Sequence, residues 1–121
     1  MIKIKISTRL VFLIGKRVYK FPLDKRGYLQ CVNEKELWEK YKHTNLLGTI
    51  YWFKFGVICM RRYNNISYIE SSNVINIKSK IPELNIDKCD LFNYQNWACD
   101  ENFNIKLIDY GINKEISELY K

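Results

Sequence analysis

The first twenty-one residues hold three short runs, the alternating IKIKI, the apolar RLVFLI and then RVYKF. A period of two marks a strand with one buried face, so residues 2–21 are expected to form two or three strands. Gly15 and Lys16 make the tight connection between the last two runs, and Pro22, which has no N–H to give to a ladder, closes the third. The period then changes. In VNEKELWEKYK, Glu34, Leu37, Trp38 and Tyr41 fall at i, i+3, i+4 and i+7, which puts three large apolar groups and one carboxylate on a single helical face. Asn33 followed three residues later by Glu36 is a variant of the capping box, and the helix is expected to begin there. A carboxylate on the core face needs a partner, since burying it alone costs several kcal/mol.

Beyond a turn at HTN, the runs LLGTIYWFKF and VICMRRY predict an antiparallel pair joined at Gly56. The stretch NNISYIESSN is polar and rich in turn formers, and residues 74–84 are expected to hold a short helix interrupted at Pro82. NWAC and NIKLI flank DENFN as a small hairpin, and KEISELYK has the pattern of one or two closing helical turns. Strands, one main helix, more strands and a hairpin give an α+β class. Neither repeat nor linker divides the 121 residues, which are read as one domain.

Composition narrows the setting. With 47% hydrophobic and 15% aromatic residues the chain can bury a core, which disordered segments cannot. Cys31, Cys59, Cys89 and Cys99 form no C-x-x-C pair and have one histidine, His43, to join them, so free thiols in a reducing cytosol are expected rather than a zinc site. The opening MIKIKISTRLVFLIG imitates a secretory leader, but its apolar run from Leu10 to Ile14 is too short and no small-residue cleavage site follows. No stretch approaches a membrane span. The net charge of +7 favours acidic partners, among them nucleic acid, nucleotide phosphates or an acidic protein surface. The basic residues are scattered along the chain, and alternation within a strand accounts for the aromatic series Tyr51, Trp52, Phe53 and Phe55 as core and surface packing.

Candidate chemistry comes from residues far apart in sequence. Lys20 lies in the strand RVYKF that leads to the helix bearing Glu34, Asn96 precedes the hairpin, and Asp109 leaves its second strand in IDYG, thirteen residues after Asn96. DENFNIKLIDYG resembles the hairpin that carries the D-F-G motif of the protein-kinase-like fold, with Tyr in place of Phe, and the chain as a whole is similar to the short kinase-like proteins encoded by tailed phages. Its Ile, Asn, Lys and Tyr content, from codons rich in A and T, also points to a small phage or an AT-rich bacterium.

The resemblance implies a kinase-like N-terminal lobe, an antiparallel sheet with one main helix, followed by a remnant of the catalytic loop and a D-Y-G hairpin. By it, Asp109 and Asn96 would hold magnesium, Lys20 would contact the phosphates of ATP and pair with Glu34, Met60 would stand near the nucleotide gatekeeper, and Arg61 to Tyr63 near the hinge. The sequence departs from the family where the acceptor is activated. Kinases place a catalytic Asp five residues before the metal-binding Asn, whereas Asp90, the candidate base, lies six before Asn96 and Leu91 stands at five. Gly15 falls in a β-turn rather than in a glycine-rich cover, and no activation segment follows Gly111. The resemblance therefore implies a degenerate kinase-like protein that binds a host or viral protein or a second copy of itself, in the host cytosol if viral, with ATP and Mg2+ as candidate cofactors. An active minimal phosphotransferase and a basic nucleic-acid-binding module are the alternatives.

Overall fold

A computed structural model of the chain describes residues 3–6, 9–84, 86 and 88–111, with the backbone alone at 3–6 and 88–89. The three opening runs do fold as three strands, β1 (Lys3–Ile6), β2 (Arg9–Ile14) and β3 (Arg17–Pro22), each antiparallel to the next. The pair β4 (Ile50–Lys54) and β5 (Val57–Arg61) completes a five-stranded antiparallel sheet of order β1-β2-β3-β5-β4. Phe55 and Gly56, both with positive φ of 54° and 79°, make the two-residue turn between them, whose backbone twist suits a hairpin. The last third supplies β7 (Trp97–Cys99) and β8 (Ile105–Leu107), the expected hairpin, and β6 (Asn64–Asn65) adds a two-residue strand from a stretch the sequence presents as turns.

Helix α1 runs over Lys25–Tyr41 and so begins eight residues before the capping box at Asn33. The cap is Asp24, whose carboxylate accepts from the Gly27 amide at 2.9 Å. Asn33 is a residue of the helix interior, and its side chain is used elsewhere. The buried face of α1 consists of Gly27, Gln30, Cys31, Glu34 and Leu37, with Trp38 and Tyr41 half-buried at its edge. Asn45, in the left-handed conformation at φ 61°, ends the short 3-10 turn that follows. Helix α2 (Ser71–Lys80) starts three residues earlier than expected and stops before Pro82, which drives Ile81 out of the helical region. A four-residue helical turn, α3 (Lys88–Leu91), leads to the hairpin. The closing turns expected over residues 114–121 lie outside the described residues.

The two sheets share one core. The segment before β4 runs beside the end of β8, with Leu47 bridging Leu107, the Gly48 amide donating to Leu107 and the Leu107 amide to Leu46, both at 2.8 Å. Leu47, Ile58, Met60, Ile77, Leu91 and Tyr110 are almost completely buried between them. Each such side chain contributes about 1.5–3 kcal/mol through the area it removes from water. Among the described residues, no helix is long and apolar enough to cross a membrane.

Candidate functional site

Strand alternation decides which side chains reach α1. Lys20 pairs across the sheet with Val11, and Arg9, two residues before Val11, points to the same side. There both cations meet Glu34, which is completely buried. The Lys20 ammonium donates to Oε1 and Oε2 of Glu34 at 3.1 Å each and to the Ile108 carbonyl at 3.1 Å. An ammonium has three N–H donors, and here they face one carboxylate and one carbonyl. The Arg9 guanidinium lies 2.8 Å from Glu34 Oε1 and 3.0 Å from Asp109 Oδ1, and it donates weakly to the Cys31 thiol at 3.7 Å. Burial works against the charge of Arg9, but the carboxylates of Glu34 and Asp109 more than offset it and raise its pKa above the ordinary arginine value. The Cys31 thiol is pushed up, first by burial, with Arg9 opposing.

The segment from Ile108 to Gly111 is held at each residue. The amides of Ile108 and Asp109 donate to the Asn96 carbonyl at 2.9 and 3.3 Å, the Ile108 carbonyl accepts from Lys20, and the Gly111 carbonyl accepts from the Asn33 side chain at 2.9 Å. Tyr110 is completely buried, and its hydroxyl donates to the Gly48 carbonyl at 3.0 Å. Burial, and next the charge of Glu34, push its phenol well above the ordinary range, so it remains a donor. Asp109 alone keeps its carboxylate half in solvent.

The structure thus brings Lys20, Glu34 and Asp109 together. Asn96 is tied to the same segment through its carbonyl, and its side-chain nitrogen donates to the Asp90 carbonyl at 2.9 Å. Between Asp90 and Asn96 the chain makes a 3-10 turn over Tyr94–Asn96, and Leu91 is buried in the core. Met60 is also a core residue, and its terminal methyl would lie 3.2 Å from any Cβ placed at Gly48. Arg9 is the residue that sequence reasoning passes over. Its signal is parity: an arginine that opens an apolar strand in phase with half-buried Val11, the cross-strand partner of buried Lys20, calls for a carboxylate.

Gly111 is required by close approach. A Cβ there would lie 2.4 Å from the Gln30 carbonyl and 2.9 Å from Glu34 Oε1. Because the first of these is helix backbone, Gly111→Ala is expected to force α1 and the D-Y-G segment apart at a cost of about 1–3 kcal/mol. Thermal melting checks this; an unchanged Tm would mean that the approach is not obligatory. Comparisons with family models, curated proteins and solved structures find no match for the chain.

Proposed function

We propose that the chain is a kinase-like domain that has given up phosphotransfer and acts by binding a partner protein. Several features support the kinase-like part. A lysine of the third strand pairs with a glutamate of the following helix, and an Asp-Tyr-Gly segment leaves a hairpin against that pair. Asn96, thirteen residues ahead of Asp109, is tied to the same segment.

The observation that carries the degenerate part is the position of Arg9. In phosphotransfer the lysine must keep a donor for the phosphates and the Asp must keep its carboxylate for magnesium. Here Lys20 is buried against Glu34 and the Ile108 carbonyl, and Asp109 already holds a guanidinium at 3.0 Å. The residues do not fit a divalent cation in this arrangement, because a metal on Asp109 would sit against the fixed positive charge of Arg9. Arg9 supplies to Asp109 the positive charge that a bound metal ion would supply in a working kinase.

The test is a calorimetric titration with ATP, with and without Mg2+, on the wild type, Lys20→Ala and Asp109→Ala, together with a phosphotransfer assay. Neither binding heat nor transfer is expected from the wild type. Micromolar, magnesium-dependent binding lost in both variants would overturn this reading. Phosphotransfer abolished by Asp90→Ala would establish the active alternative.

A further inference from the structure

In the folded chain the charge is segregated. The two stretches that supply all five strands of the larger sheet, residues 1–23 and 46–63, hold nine of the twenty Lys and Arg residues and none of the thirteen Asp and Glu. Eleven basic and thirteen acidic residues remain for the rest, so the sheet segments carry +9 and everything else −2. The face toward α1 commits Arg9 and Lys20 to Glu34 and Asp109.

The opposite face has a different chemistry. The strand register sets Phe12, Tyr19, Phe21 and Trp52 side by side on it, with Arg17 and Lys54 on the same side. Phe12 and Phe21 meet edge to face with centroids 5.5 Å apart, and Tyr19 and Trp52 lean together at 6.2 Å over the fully buried Cys59. Beside them the Arg17 guanidinium lies 4.8 Å from the ring centre of Tyr51. The rings are not sealed: Phe21 is 38% and Tyr51 46% exposed. Lys16 and Arg62 stand at the end of the sheet where the Arg62 amide donates to the Lys16 carbonyl, and Glu101 engages Arg61 at the same rim.

We infer that this open sheet face binds single-stranded nucleic acid, with bases stacked on Tyr19, Trp52 and Tyr51 and phosphates held by Lys16, Arg17, Lys54 and Arg62. The charge complements a polyanion, and a row of partly exposed rings offers π-faces that any unpaired base can use. A duplex keeps its bases stacked on one another and would leave the rings without a partner. A second copy of the chain would set two predominantly basic faces against each other, with Asp100 and Glu101 at the rim beside Arg61. This inference is independent of the kinase-like reading and concerns the other side of the sheet.

The experiment is fluorescence anisotropy with labelled oligo-dT, oligo-U and a DNA duplex over a salt series, together with anionic vesicles and sedimentation of the protein alone. Both single strands are expected to bind, with a log-log salt slope near −3, four phosphate contacts at about 0.7 each. Trp52→Ala is expected to weaken binding roughly tenfold with the slope unchanged, and Lys54→Ala to reduce the slope by about 0.7. Circular dichroism of each variant verifies folding. Tyr51→Ala, at an exposed ring, gives the stacking test if Trp52→Ala unfolds. No binding to either strand at about 50 mM salt would overturn the inference. So would equal binding to duplex and single strand that ignores both aromatic variants, vesicle binding without oligonucleotide binding, or self-association abolished by Tyr51→Ala.

Discussion

Glu34→Ala is expected to cost at least about 3–5 kcal/mol of folding stability, the loss typical when one partner of a buried ion pair is removed. Total stabilities of small domains are about 5–15 kcal/mol, so this one substitution should bring the protein close to unfolding. The reason is the asymmetry of the cluster. One carboxylate with no exposure serves two cations whose side chains are 5% and 8% exposed, Arg9 and Lys20. Without it, among the described residues, Arg9 retains the half-exposed Asp109 and its weak contact with Cys31, and Lys20 retains the Ile108 carbonyl. Urea denaturation measures the loss, and a value below about 1 kcal/mol would mean that water already serves these charges. The triple variant Arg9→Met, Lys20→Met, Glu34→Leu separates the cost of breaking the cluster from the worth of having it. It is expected to be near neutral or more stable than the wild type, since burying three charges is itself expensive.

Tyr110→Ala is the second large effect, at about 3–5 kcal/mol, the usual range for deleting a buried aromatic ring. Tyr110→Phe is expected to cost about 1–3 kcal/mol, because it keeps the ring but leaves the Gly48 carbonyl without the hydroxyl that now donates to it. The order of the two variants in denaturant midpoint is the check. If Tyr110→Phe proved as damaging as Tyr110→Ala, the hydroxyl rather than the ring would be holding the D-Y-G segment in place.

Both predictions concern contacts of different legibility. The pairing of Lys20 with Glu34 can be anticipated, because a strand lysine and a core-facing helix carboxylate each need a partner and stand close in sequence. The strands are legible for a local reason as well: alternation, Gly15, Gly56 and Pro22 act within a few residues. The start of α1 misleads, since Asn33 and Glu36 form a capping pattern inside a helix that Asp24 already caps. Asn33 is a hydrogen-bond donor to Gly111, seventy-eight residues away, and no local rule discloses that. Arg9 fails for the same reason, its partner Asp109 lying one hundred residues on. The charge segregation is hidden too, because strands that are neighbours in the sheet, β3 and β5, are separated in sequence by α1 and its acidic residues.

The hundred-residue span between Arg9 and Asp109 also sets an order of events during synthesis. A ribosome releases β2, β3 and α1 long before Asp109 exists, so the early sheet and helix must manage a cluster of two cations and one carboxylate. Closing so long a loop costs about 4 kcal/mol in chain entropy. The last link of the cluster therefore forms only when the hairpin docks, and until then the emerging half carries an excess positive charge at its centre. The nascent chain has, in effect, an electrostatic reason to wait for the segment that carries Asp109.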